Sequence, residues 1–195
     1  MNLLHIDTSA LGTRSISRTL TAAIVARFRQ AVPDLQVRYL DLDTEPLPHL
    51  TGASLAGTDP AGGERAAQVL EDFLAADVVV IGVPMYNFSI PSTLKAWIDR
   101  ITVAGKTFRY TADGPQGLAG PKRVILAVAQ GGVHEAGGPS DFQESYLCFL
   151  FRFLGIDQVE VVRAQGVNLS PEAREQALQA ALATLPEPPP LAQAA

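Results

Sequence analysis

Short, nearly continuous apolar runs recur along this chain at residues 3–7, 37–41, 78–83, 124–128 and 159–162. Runs of this length, rich in Val, Ile and Leu, suit strands buried on both faces, as in a parallel sheet covered by helices. Val78-Val79-Val80-Ile81 is the most apolar and β-branched of them and is placed at the centre of the sheet. Between the runs the period changes to that of a helix. Ile16, Leu20, Ile24 and Phe28 recur every four residues behind a serine cluster. Val69, Phe73 and Leu74 mark a second helix ending before Asp77, and Leu94, Trp97, Ile98 and Ile101 follow Ser92 as a third. Residues 146–154 are apolar almost all round, which predicts a helix buried more deeply than a surface helix. In the last helix Ser170 stands as N-cap and Pro171 in the first turn, with Leu178, Leu182 and Leu185 on one face. Strands alternating with helices predict an α/β fold, a five-stranded parallel sheet with helices on both faces, layered α/β/α.

Three segments depart from the alternation. Residues 44–63, rich in Pro, Gly and Thr, are long for a connection and suit a lid or interface piece. Residues 105–120 form an excursion in which Thr107–Thr111 reads as one arm of a hairpin turning at Asp113-Gly114. Residues 186–195 carry four prolines in their first five positions and are expected to be disordered. A single domain over residues 1–185 is therefore expected.

Composition narrows the function. Fifteen Lys and Arg against twenty Asp and Glu leave a net charge of −5, so neither nucleic acid nor an anionic membrane is an expected partner. An anionic ligand must then be held locally, by backbone N–H groups and a few side chains. The only cysteine, Cys148, lies in an apolar run and reads as a core residue; with no disulfide possible within the chain, a reducing compartment is expected. The first residues read as a strand rather than a signal peptide, and no apolar run approaches membrane-spanning length. A cytoplasmic protein is expected, and nothing in the sequence suggests a metal site.

Doubly wound sheets bind ligands beyond the carboxyl ends of their strands. After the first strand, half of the ten residues 8–17 carry hydroxyls and lead into a helix N-terminus, a site for a phosphate monoester. The segment is not Gly-x-Gly-x-x-Gly, so a dinucleotide pyrophosphate is disfavoured. After the third strand, Met85-Tyr86-Asn87-Phe88 offers broad apolar faces around one amide, between Pro84 and Pro91. After the fourth apolar run, Ala129-Gln130-Gly131-Gly132 lets backbone approach a ligand closely. A phosphate cup, an aromatic ring clamp and a glycine edge together describe a site for FMN.

The stretch from Pro84 through Lys95, followed by Ala104–Thr111 and Gly114-Pro115, closely resembles the FMN-dependent NADH-azoreductases, also described as NADH:quinone oxidoreductases. The resemblance runs in order from the first strand to at least Gly155. It implies a flavodoxin-like homodimer with one FMN per chain near the subunit interface. It implies phosphate contacts at Ser9, Ser15, Ile16 and Ser17, and ring contacts from Met85, Tyr86, Asn87 and Phe88. The turn Ala129, Gln130, Gly131 and Gly132 is implied to lie along the ring's polar edge. Many members have Ser-Arg at the first two positions of that turn, so what carries over here is the backbone. The implied chemistry is ping-pong, NADH reducing the flavin and a quinone or azo compound reoxidising it, with no obligatory catalytic side chain. His134 is the candidate proton donor, and Phe108, Tyr110 and Phe153 are the candidate lining of the acceptor pocket.

Two rivals differ in class. A flavodoxin-like electron carrier would bind FMN without a substrate of its own; residues 105–120 and 146–154 argue against it as elements a small carrier lacks. A serine hydrolase would need a nucleophile elbow, which Gly52-Ala53-Ser54-Leu55-Ala56-Gly57 only half resembles.

Overall fold

The computed structural model describes residues 1–188. Seven strands are β1 (Asn2–Asp7), β2 (Gln36–Asp41), β3 (Val78–Pro84), β4 (Phe108–Thr111), β5 (Gly114–Gly117), β6 (Arg123–Gln130) and β7 (Gln158–Gln165). The helices are α1 (Ile16–Ala31), α2 (Gly52–Leu55), α3 (Pro60–Ala75), α4 (Ser92–Ile101), α5 (Glu144–Phe153) and α6 (Pro171–Leu182). Five of the strands form one parallel sheet in the order β2-β1-β3-β6-β7, the flavodoxin-like arrangement. All seven residues of β3 are buried, as a strand flanked on both edges and covered on both faces requires.

Alternation along the strands divides the core in two. Val79, Ile81 and Val83 pack with α3, α4 and α5, whereas Val78 and Val80 face α1 and α6. The first cluster is anchored by Phe73 and Trp97, fully buried and edge-to-face with centroids 5.6 Å apart. In α3 the buried face is Val69, Leu70 and Phe73, and Leu74 turns outward at 36% exposure. Lys122, at the foot of β6, is buried and donates from Nζ to the Leu74 and Ala76 carbonyls at 2.7 and 2.9 Å, closing the end of α3. Burial pushes its pKa down.

Several expectations are corrected. Residues 44–63 are not one long loop: Thr51 and Ser54 cap α2 reciprocally, and Asp59 caps α3 with Pro60 in its first turn. Strand β7 extends through Gln165, beyond the apolar run, because an edge strand alternates buried and exposed positions. The hairpin pairs Thr111 with Gly114, so its loop is Ala112-Asp113. Helix α5 is not buried all round: Leu147, Leu150 and Phe151 face the core, but Phe149 is 70% exposed. Cys148 is only half-buried on that helix, and burial pushes its thiol pKa up.

The C-terminal segment expected to be disordered lies mostly outside the described residues, from 189 onward. Of its first residues, Glu187 pairs with Arg27 and accepts at its carbonyl from Arg123 at 2.6 Å.

Candidate functional site

The strand order reverses between β1 and β3, so their carboxyl ends open a crevice, bordered next by β6. Three loops meet there. The first runs from Thr8 to Ser15, and Thr8 ties it to the sheet by donating to the Gly82 carbonyl at 2.6 Å. Ser15 is the N-cap of α1, its Oγ accepting from the Arg18 N–H at 3.3 Å and standing 3.1 Å from Ser17 Oγ. A helix's first N–H groups have no intrahelical acceptor, which leaves those of Ile16 and Ser17 for an anion. The Ile16 side chain itself is buried against the sheet, so only its backbone serves the crevice.

The second loop, after β3, is a tight hairpin. Tyr86 and Ser89 exchange backbone bonds at 2.9 and 3.0 Å, and Asn87 and Phe88 between them adopt φ of +49° and +68°. Both central residues of a type I′ turn need positive φ, which Asn tolerates and Phe does not favour. Strain of this kind concentrates at ligand clamps. Phe88 is thereby held out into the crevice, 56% exposed. The Tyr86 phenol reaches the first loop, accepting from the Ala10 N–H at 3.1 Å and lying 3.3 Å from Ser9 Oγ. Met85 is fixed by donating to the Ala129 carbonyl at 2.8 Å.

The third loop follows β6. The Gly132, Gln130 and Gly131 carbonyls accept from Gly166, Val167 and Asn168, pinning the turn to the end of β7. A Cβ on Gly131 would come within 2.7 Å of Asn168 Nδ2, so a larger residue here would displace the Asn168 side chain. The Gln130 side chain turns inward, bonded to Gln143 at 3.1 Å and to Gln165 at 2.7 Å, while Gln143 donates to the Val83 carbonyl. Only the backbone of Ala129-Gln130 therefore borders the crevice. His134 stands beside the second loop, edge-to-face with Phe88 at 6.0 Å, its Nδ1 3.0 Å from Ser140 Oγ.

Phe108, Tyr110 and Phe153 also come together, with centroids 4.9 Å apart for Phe108–Phe153 and 5.6 Å for Phe108–Tyr110. They do not join the three loops of their own chain. Phe153 ends α5 just before β7, whose Gln158 pairs with Arg123 at the start of β6, whereas the crevice lies beyond Gln130 at its end. Eight strand residues separate those ends by roughly 25 Å.

Sequence reading missed the polar network beneath the first loop. Arg18 forms a two-pronged pair with Asp41, both bonds 2.7 Å, and lies 3.7 Å from Asp7. Asp7 accepts from Thr21 at 2.8 Å and from Tyr39 at 3.0 Å, with His5 3.5 Å away. Burial alone would raise the Asp41 pKa, but the Arg18 pair and backbone N–H bonds outweigh it and hold the carboxyl low. The Arg18 pKa is raised, chiefly by its bond to Asp41. Asp141 was missed too: it caps α5, accepting from the Glu144 N–H at 2.8 Å and Ser145 Oγ at 2.8 Å. Local sequence held no signal for the first network, because its members come from different strands and a helix.

Burial, then the charge of Asp7, pushes the Tyr39 phenol up to about 12. A native value above the unfolded one means a stabilisation present below pH 10 and lost as pH climbs from 10 towards 12. Ultraviolet titration is expected to show one phenol ionising near 12, absent in Tyr39→Phe. All phenols ionising near their ordinary value would count against the network.

Ser54, the serine of the half-formed elbow, is spent in the capping box of α2, donating to the Thr51 carbonyl at 3.0 Å and accepting its N–H at 2.7 Å.

Comparison with known proteins adds relatives to this geometry. A family described by the flavodoxin-like fold matches residues 1–187. The FMN-dependent NADH:quinone oxidoreductase of Xanthomonas oryzae pv. oryzae (strain MAFF 311018) is 62% identical over 185 residues, covering 95% of each chain. The enzyme of the same name from Stenotrophomonas maltophilia (strain K279a) is 58% identical over 186 residues, again 95% of each. Among solved structures, the azoreductase AzrA superposes with a TM-score of 0.86 at 30% identity, over 94% of this chain and 96% of the other. An FMN-dependent NADH-azoreductase from Bacillus anthracis str. Ames Ancestor, in complex with FMN, superposes with a TM-score of 0.81 at 25% identity, over 95% and 98%.

Proposed function

The chain belongs to the FMN-dependent NADH:quinone oxidoreductases of the flavodoxin-like fold, and from that premise we propose that it reduces quinones and azo compounds with electrons from NADH. The observation that carries the reading is the convergence of three loops where the sheet order reverses, with the Tyr86 phenol joining the ring loop to the phosphate loop. Residues 1–185 are read as one FMN-binding domain.

The donor set fits the cofactor. The Ser9, Ser15 and Ser17 hydroxyls and the N–H groups of Ile16 and Ser17 would take the phosphate. A helix N-terminus supplies only ~0.3–2 kcal/mol towards an anion. Burying on the order of 200 Å² of ring would add about 5 kcal/mol. Met85, Tyr86, Asn87 and Phe88 would supply that contact, with the backbone of Ala129, Gln130, Gly131 and Gly132 at the ring's polar edge. When bound, FMN supplies two-electron chemistry in alternating half-reactions with NADH and acceptor. His134, tied at Nδ1 to Ser140, presents Nε2 towards Gly132 and is the group positioned to pass a proton to the acceptor.

What one chain leaves uncovered supports a homodimer. Phe142 and Phe149 are 61% and 70% exposed along α5 and its approach, and Tyr110 is 76% exposed at the other end. Two copies of α5 packed about a two-fold axis would bring the partner's Tyr110 and Phe153 to this chain's crevice. Phe149→Lys is expected to give a monomer in sedimentation equilibrium and to slow acceptor reduction; an unchanged dimer mass would remove α5 from the interface. No helix among the described residues is long and apolar enough to cross a membrane, and use of NADH fits work in the cytoplasm.

An absorption spectrum tests the function. Bound flavin bands that bleach with NADH under anaerobic conditions and return with a quinone would establish both half-reactions. Bands that persist with NADH would point to an electron carrier instead, and no retained FMN after desalting would overturn the cofactor.

A further inference from the structure

Arg18 stands at the centre of the polar network, and each of its donors is occupied. Nε and Nη2 donate to the Ser9 carbonyl at 3.1 and 2.8 Å, Nη2 and Nη1 to the two Asp41 oxygens at 2.7 Å each, and Nη1 to the Tyr39 hydroxyl at 3.3 Å. A guanidinium has five N–H groups, so none is left for a ligand. The side chain is only 15% exposed. Its own backbone N–H meets Ser15 Oγ at 3.3 Å, so this one residue grips the anion loop at both ends, Ser9 by its side chain and Ser15 by its main chain.

We propose that Arg18 is the positioning residue of the phosphate loop, its guanidinium fixing the Ser9 carbonyl against Asp41 so that the loop is already shaped for a phosphate monoester. This rests on the FMN reading above. The Asp41 end is itself anchored, Oδ1 accepting from the Asp43 N–H at 3.1 Å, so the clamp ties the loop to the end of β2 rather than to a mobile side chain. A fixed loop does not spend binding energy on ordering itself when the anion arrives. Arg14, which lies within the loop itself, is exposed.

The test compares FMN with riboflavin, which has the ring but no phosphate. In the purified full chain, Arg18→Met is expected to weaken FMN at least about tenfold, the loss of one charge-assisted bond or more, while riboflavin affinity is unchanged. Arg18→Lys, able to reach Ser9 or Asp41 but not both in a fork, is expected to fall between. Asp41→Asn, which keeps Arg18 on Ser9 but loosens its anchor, is expected to shift the same ratio less, and it decides the matter if Arg18→Met does not fold. Equal losses for both flavins, or no loss of FMN, would make Arg18 merely structural and overturn the proposal alone. Wild-type protein that binds neither flavin would overturn the cofactor reading and this proposal with it.

Discussion

Replacing Ser15 with Asp is expected to leave the apoprotein folded and to weaken FMN binding by about a thousandfold. Asp is as good an N-cap as Ser, and its carboxylate can accept the Arg18 N–H that Ser15 Oγ now accepts at 3.3 Å. A negative charge at the start of α1 also suits the helix dipole. The apoprotein therefore gains nothing to repel. A phosphate monoester carries roughly −1.5 to −2 charges at neutral pH. A carboxylate about 4 Å from one such charge costs about 4 kcal/mol at the effective dielectric of a protein surface, three powers of ten in affinity. Riboflavin lacks the phosphate, so the new carboxylate has no ligand charge to repel and its affinity should change by less than about threefold. Fluorescence titration with the two flavins reads both numbers. FMN bound as tightly as by wild type would place the phosphate elsewhere, whatever the ring does.

Gly117→Ala is expected to lower stability by about 3 kcal/mol or more, a fall in Tm of roughly 6–12 °C for a chain of this size. Gly117 ends β5, and a Cβ there would overlap the backbone of Leu154 and Gly155 at the end of α5. A clashing side chain can change rotamer; a clashing backbone must move. Next to it the Ala119 N–H donates to the Leu154 carbonyl at 3.0 Å, and Phe108 packs on Phe153 at 4.9 Å. Relief of the overlap would lift the hairpin off α5 and separate the aromatic residues proposed to reach the partner's crevice, so acceptor reduction should fall while FMN affinity holds. Gln116→Ala, one residue earlier and exposed, loses only a 2.8 Å bond from Arg109 and should stay within about 0.5 kcal/mol of wild type. Thermal unfolding of both variants decides the matter. A wild-type Tm for Gly117→Ala would show that the junction opens at no cost.

Much of this architecture was legible along the chain, and for a definite reason. Burial on one or two faces imposes a period, and a period is a local property. The Val78–Ile81 run marked the central strand, the four-residue spacing from Ile16 to Phe28 marked α1, and Ser170 with Pro171 marked the start of α6. The crevice loops were visible too, because hydroxyls before a helix, aromatic residues between prolines and paired glycines are each contiguous. Where a signal mixed two causes the expectation differed from the fold: the all-apolar α5 reads as buried, although Phe149 is 70% exposed.

The rest was decided by tertiary structure. Arg18 meets Asp41 across 23 residues, and Gln130 turns inward because Gln143 and Gln165 wait there, pairings that no local spacing encodes. Phe88 takes a positive φ because Tyr86 and Ser89 close a two-residue turn around it, not because the residue prefers it. Phe108, Tyr110 and Phe153 meet in space but at the far end of the sheet from the crevice, a fact fixed by the direction in which α5 returns to begin β7. Sequence determined which faces are apolar and which loops carry hydroxyls, aromatic residues and paired glycines, since both depend on neighbours in the chain. Only the fold decided which distant side chains face each other, since that depends on how the strands are ordered and where each helix ends.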